Sequence, residues 1–85
     1  MAIFDLSERQ KNLLRIIVRE STKRAKPVGS QSLVVKYELG VSPATVRNEM
    51  VRLISEGLLE KPHSSAGRVP TTIGFRFYVN ELLEE

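Results

Sequence analysis

A mainly helical domain with one small β-hairpin, three helices before the hairpin and one after it, is the fold class that three features of this 85-residue sequence predict. Two helical patterns are separated only by Leu39, Gly40 and Val41; a polar loop flanked by two short strand-like runs follows the third helix; and each helical stretch opens near a hydroxyl residue able to cap it. The length holds one domain, residues 1–85, because a single hydrophobic core organises roughly 50–200 residues.

The first helix is expected to start at Ser7, where Gln10 three positions on can return the hydroxyl's cap with its own amide. Leu13, Leu14, Ile17 and Ser21 share one face, widened by Ile16 and Val18, and the helix should end between Ser21 and Arg24. Lys26-Pro27 then forces extended backbone, since the proline ring disfavours helical geometry in the residue before it. Ser30 is the next capping candidate, for a short helix with Leu33, Val34 and Tyr37 on its apolar side, ending near Glu38 and closed by Gly40. Ser42-Pro43 opens the third helix, with the hydroxyl as cap and proline where no amide donor is needed. Val46, Met50, Leu53 and Ile54 form its buried stripe and Gly57 ends it.

Leu58 to Lys61 reads as a strand, Pro62 to Gly67 as a loop, and Arg68-Val69 as the start of a return strand interrupted by Pro70. Thr71 or Thr72 caps the closing helix, whose Phe75, Tyr78, Val79 and Leu82 are expected on one buried side, with Phe77 on a wider flank. This order is that of a winged helix-turn-helix: a three-helix core, a wing and a C-terminal helix.

Composition narrows the function. With no cysteine and one histidine, disulfide staples and thiolate metal sites are excluded. The apolar runs 16–18 and 33–35 fall far short of the roughly 20 residues that cross a bilayer, and no secretory signal opens the chain, so a cytoplasmic setting with no membrane partner is expected. The net charge of +3 understates a surplus of +7 between Ser7 and Asn80, where 13 basic residues face 6 acidic ones. Seven of these bases lie between Arg9 and Lys26 against Glu20 alone, a pattern that favours a polyanion, although a solvated helix face uses the same residues.

On the third helix, the side opposite the buried stripe carries Ala44, Asn48, Val51, Arg52 and Ser55, flanked by Thr45 and Arg47. Small residues let a helix approach a major groove; Arg can pair with guanine O6 and N7, Asn with adenine N6 and N7, and a methyl can meet thymine. Thr45, Arg47, Asn48 and Arg52 are therefore base-contact candidates, with Ala44 and Val51 on the same surface. Ser30, Ser42, Lys61, His63, Ser64, Ser65, Gly67 and Arg68 are candidates for phosphate and wing contacts, the glycine as a flexible part of the hairpin tip; Arg9, Lys11 and Lys26 could join them. Glu49 and Glu56, seven apart, read as helix-surface charges. No phosphate-binding glycine motif, metal-ligand cluster or nucleophile-base set is legible, so an enzyme is not expected and no cofactor is called for.

The runs Pro27-Val28-Gly29-Ser30, Ser42-Pro43-Ala44-Thr45-Val46-Arg47-Asn48-Glu49-Met50, Gly57-Leu58-Leu59, Pro62-His63-Ser64-Ser65-Ala66-Gly67-Arg68-Val69-Pro70-Thr71 and Gly74-Phe75-Arg76-Phe77-Tyr78-Val79, in this order, resemble the DNA-binding region of the heat-inducible transcription repressors of the HrcA family. The resemblance implies a winged-helix repressor domain that binds an inverted-repeat operator upstream of chaperone genes as a homodimer, with residues 42–56 as recognition helix and 62–68 as wing. It also implies, in full-length members, a larger C-terminal portion for dimerisation and regulation, with a link to the GroEL chaperonin. Residues 23–26 and Val51-Arg52 are more basic than the family's usual pattern, which would strengthen sequence-independent binding. The rival reading is a winged helix that docks on protein, with Val51, Arg52 and the wing as its surface. A second rival, RNA or single-strand binding, is disfavoured because Phe75 and Tyr78 read as core rather than as a stacking platform.

Overall fold

The structure, a computed structural model, describes residues 4–24, 26–62 and 67–83. Its elements are α1 (Glu8–Arg24), α2 (Ser30–Tyr37), α3 (Pro43–Ser55), β1 (Leu59–Glu60), β2 (Val69–Pro70) and α4 (Thr72–Phe77), the last continuing as a π-helical turn over Tyr78–Leu82. This is the mainly α winged arrangement with an antiparallel hairpin that the sequence predicts. Among the described residues no helix is long and apolar enough to cross a membrane.

The caps hold the frame. The Ser7 N–H donates to Gln10 Oε1 at 3.0 Å while the Gln10 N–H donates to Ser7 Oγ at 3.1 Å, the reciprocal pair that starts α1. Ser42 Oγ accepts from the Thr45 N–H at 3.1 Å with Pro43 in the first turn of α3, and Thr71 Oγ1 accepts from the Gly74 N–H at 2.9 Å to start α4. Ser30 differs from expectation: Gly29 occupies the cap position of α2, without a side-chain cap bond, and Ser30 is the first helical residue. The left-handed residue that ends α2 is Glu38 (φ 47°), with Gly40 (φ 75°) two residues further on, so two positive-φ positions rather than one glycine turn the chain into Ser42.

One core joins all helices. Leu13, Leu14, Ile16, Ile17 and Val18 of α1 pack with Leu33, Val46, Met50, Leu53, Leu58 and Leu59, and Val34, Tyr37 and Ile54 lie partly buried against them. Leu6 is buried too, and the Phe4 ring meets Phe77 edge-on at 5.4 Å between centroids. The hairpin pairs Leu59 with Pro70 and Glu60 with Val69. Pro70 thus continues the return strand instead of interrupting it. N–H groups along that strand point alternately to its two sides, Arg68 to Val28 and Thr71 to Leu58; Pro70 falls on the Val28 side beyond the single rung there, so its missing donor costs no ladder bond. The extended stretch forced by Pro27 is what supplies that rung: Val28 and Arg68 exchange both backbone bonds, at 2.8 and 2.9 Å.

The closing helix departs most from its expected pattern. Phe77, Tyr78 and Leu82 are buried, whereas Phe75 is 43% and Val79 48% exposed. The Leu83 N–H donates to the Tyr78 carbonyl at 2.7 Å, five residues back, the bond of a π-helical turn, and the buried face of this segment is formed by Phe77, Tyr78 and Leu82 in place of Phe75 and Val79.

Glu20 is the one buried charged side chain among the described residues. Its carboxylate accepts from Lys36 Nζ at 2.8 Å and from the Tyr37 hydroxyl, and pairs with Arg24 Nε at 3.1 Å, tying α1 to α2. These bonds, the Lys36 ammonium foremost, lower its pKa from 4.5 to about 2, while the same carboxylate raises that of Tyr37. Since the folded-state value is the depressed one, the stabilisation is complete above pH 4.5 and is lost as pH falls through about 2. The expected result is a urea midpoint that drops for the native chain between pH 5 and pH 2.5 and drops less for Glu20→Gln, measured side by side; equal slopes would remove Glu20 from the acid limb.

Candidate nucleic-acid interface

The outward strip of α3 is solvent-facing as the helical period requires: Ala44, Arg47, Asn48, Val51, Arg52 and Ser55 are exposed, Val51 at 54%, and Thr45 is half-buried. Its side chains are not equally available. Arg47 and Asn48 make no side-chain hydrogen bond or ion pair with any described residue. Arg52 Nε pairs with Glu56 Oε2 one turn on, at 3.3 Å, and the Thr45 hydroxyl lies 3.1 Å from Ser42 Oγ within the cap. An exposed pair such as Arg52–Glu56 contributes little to stability, roughly 0–1 kcal/mol, so Arg52 can leave it for a ligand. Arg47 and Asn48 need leave nothing.

Of the wing candidates, Lys61 is exposed beyond β1, with no side-chain partner among the described residues. Gly67 is buried, not a flexible tip residue: a Cβ there would stand 2.6 Å from Pro27 Cβ and 2.7 Å from Pro27 C, so a side chain is excluded by the approach of the extended stretch. Arg68 is half-buried at the rung with Val28, and its Nη1 donates to the Gly67 carbonyl at 3.1 Å. His63, Ser64 and Ser65 lie outside the described residues. Ser30 is half-buried at the first turn of α2, where the cap residue Gly29 supplies no side-chain bond, and Ser42 is exposed beside α3.

The basic surplus of α1 is mostly spent within the protein. Arg9 pairs with Glu49 at 3.6 Å, Lys11 with Glu8 at 3.4 Å and Arg24 with Glu20 at 3.1 Å; Arg15 Nε donates to the Leu82 carbonyl at 3.3 Å and Arg19 Nε to the Tyr78 hydroxyl at 3.5 Å, both securing the π-helical turn. Lys23 and Lys26 are exposed without such links to any described residue. Glu56 is a surface charge as expected, but Glu49 is not: its side chain is only 21% exposed and is held by α1. No group of His, Cys, Asp and Glu able to hold a metal ion occurs among the described residues.

No family model matches the sequence. Curated relatives do. The chain is 49% identical over 80 residues to the heat-inducible transcription repressor HrcA of Carboxydothermus hydrogenoformans, covering 94% of this chain and 24% of the relative. It is 53% identical over 79 residues to HrcA of Desulforudis audaxviator, with 93% and 23% covered, and 49% identical over 79 residues to HrcA of Chloroflexus aggregans, with 93% and 21% covered. A solved structure of a hypothetical protein superposes with a TM-score of 0.83 at 39% identity, covering 95% of this chain and 27% of that one. The chain therefore spans about a quarter of the length of these relatives. Its winged fold and these matches together make it a homologue of the N-terminal region of the HrcA family of heat-inducible transcription repressors.

Proposed function

We propose that this chain binds double-stranded DNA as the reading domain of a transcription repressor, laying the outward strip of α3 in the major groove. The observation that carries the proposal is the pair Arg47 and Asn48: exposed, next to each other on a firmly capped helix, and uncommitted to any side-chain partner among the described residues. A guanidinium and an amide so placed are the two groups best suited to bidentate pairing with guanine and adenine. Thr45 and Arg52 border them, Ala44 allows close approach, and Val51 offers methyl groups to thymine. Lys61, Arg68, Ser30 and Ser42, with the wing residues His63, Ser64 and Ser65, would fix the pose on phosphates. Two copies on an inverted repeat, acting by occupying a promoter of chaperone genes, complete the proposal, and it involves neither cofactor nor chemical turnover. Its setting is wherever the DNA is, the cytoplasm of a bacterial cell.

Selection of bound sites from a random duplex pool tests this directly. The expected outcome is an enriched half-site, repeated in inverted orientation with centres about 10–10.5 bp apart or a multiple of that. Absence of binding to any duplex at low salt would refute it in favour of a protein-docking winged helix; binding without enrichment would leave α3 no role as a reader.

A further inference from the structure

From the links between α1 and α3 we infer that Glu49 is a positioning residue for base reading: the capping pair at the start of α1 reaches through Gln10 to hold the recognition helix at one rotation about its axis. The inference rests on α3 being the reading helix. Gln10 uses both ends of its amide. Its Oε1 accepts from the Ser7 N–H at 3.0 Å, within the cap, and its Nε2 donates to Glu49 Oε1 at 3.0 Å. The second carboxylate oxygen faces Arg9 Nη1 at 3.6 Å. Glu49 is thereby attached to α1 from two successive residues, 39 or 40 positions away in sequence.

What this attachment adds is direction. α3 is anchored on its inner side by Val46, Met50 and Leu53, and apolar contacts resist separation far better than they resist small rotations, since burial is non-directional. A hydrogen bond is not: it weakens steeply when its angle is lost. Side-chain groups sit about 5 Å from a helix axis, so a rotation of about 20° displaces them by roughly 2 Å, more than a bidentate base contact tolerates. Glu49 follows Arg47 and Asn48 directly in sequence, so fixing its carboxylate fixes the direction in which those two side chains leave the helix. Because Gln10 serves the cap and Glu49 at once, the first turn of α1 sets the register.

The test uses Glu49→Ala and Glu49→Gln, with affinity measured for a selected duplex and for random-sequence duplex at one salt concentration, and chain fold checked by far-UV circular dichroism. Removing the negative charge strengthens binding to both duplexes in both variants. Only Glu49→Ala removes the acceptor for Gln10, so its ratio of selected to random affinity is expected to fall about tenfold, while Glu49→Gln, which keeps an acceptor, holds the native ratio within about threefold. In a double-mutant cycle on the unfolding of free protein, Gln10→Ala and Glu49→Ala should be non-additive. Equal ratios for the two variants, or additive unfolding effects, would overturn the positioning role. So would a changed preference at one base pair only, which would make Glu49 a reader. If the native chain shows no preference for the selected duplex, the reading of α3 fails; the unfolding cycle still decides the link itself.

Discussion

Gly74→Ala is expected to remove most of the domain's stability. A Cβ at this position would lie 2.0 Å from the carbonyl oxygen of Leu58 and 2.9 Å from its carbon, and both obstacles are backbone, so no rotamer change relieves the clash. The only relief is for α4 to withdraw from the start of the hairpin. That withdrawal stretches the Thr71 N–H bond to the Leu58 carbonyl, now 3.1 Å, and the bond of the Thr71 hydroxyl to the Gly57 carbonyl, now 2.6 Å. It also lifts Phe77 and Tyr78 from the core. Overpacking a tight site costs about 1–3 kcal/mol, occasionally more, and each lost hydrogen bond about 1 kcal/mol. Against the roughly 5 kcal/mol expected of a small domain, that is more than half. Gly29→Ala is the control: nothing lies within 4 Å of its added Cβ, and a change of less than about 1 kcal/mol is expected at this cap position. Urea midpoints of the two variants beside the native chain settle the matter, and a Gly74→Ala midpoint near that of Gly29→Ala would mean that α4 is not held as described.

The contact at Gly74 also marks where sequence reading stops. Features governed by residues three or four apart were legible: the Ser7–Gln10 and Ser42–Pro43 starts, the Val46–Met50–Leu53 stripe and the strip opposite it, because local geometry alone decides them. Features governed by distant neighbours were not. Gly67 and Gly74 look like turn and helix glycines in sequence, yet each serves a close approach by a segment that only the tertiary fold brings near. Phe75 and Val79 fit a buried face at 100° per residue, yet the buried side of the closing helix is the one where Gly74 meets Leu58 and where Phe77 and Tyr78 are covered, which residue spacing does not show. Of the α1 bases that suggested a polyanion surface, Lys11 and Arg24 pair with Glu8 and Glu20 three and four positions away, whereas Arg9, Arg15 and Arg19 are engaged by Glu49 and the last turn, links across distant sequence that composition cannot show. For the candidate site this narrows the field: the exposed positions predicted on α3 are where they were expected, but those with no side-chain commitment are fewer.

Arg47→Ala and Asn48→Ala are expected to leave the fold intact and to damage discrimination severely. Neither side chain has a hydrogen-bonding or charged partner among the described residues and both are exposed, so unfolding free energies should stay within about 0.5 kcal/mol of native. A loss of binding in these variants is then a loss of contact, not of structure. Each should forfeit about 1–3 kcal/mol of preference at one base pair, between fivefold and 150-fold, with the rest of the selected site unchanged. Lys61→Ala provides the contrast. A phosphate contact carries no sequence information, so that variant should weaken selected and random duplexes alike and reduce the salt dependence of binding by about one unit of slope. The comparison depends on position along the helix as well as on residue type: Arg52, whose guanidinium must leave Glu56 before it can pair with a base, should show a smaller effect on alanine substitution than Arg47. If Arg47→Ala and Asn48→Ala instead lower affinity equally for selected and random duplexes, the two side chains meet the backbone, and sequence must be read elsewhere in the molecule.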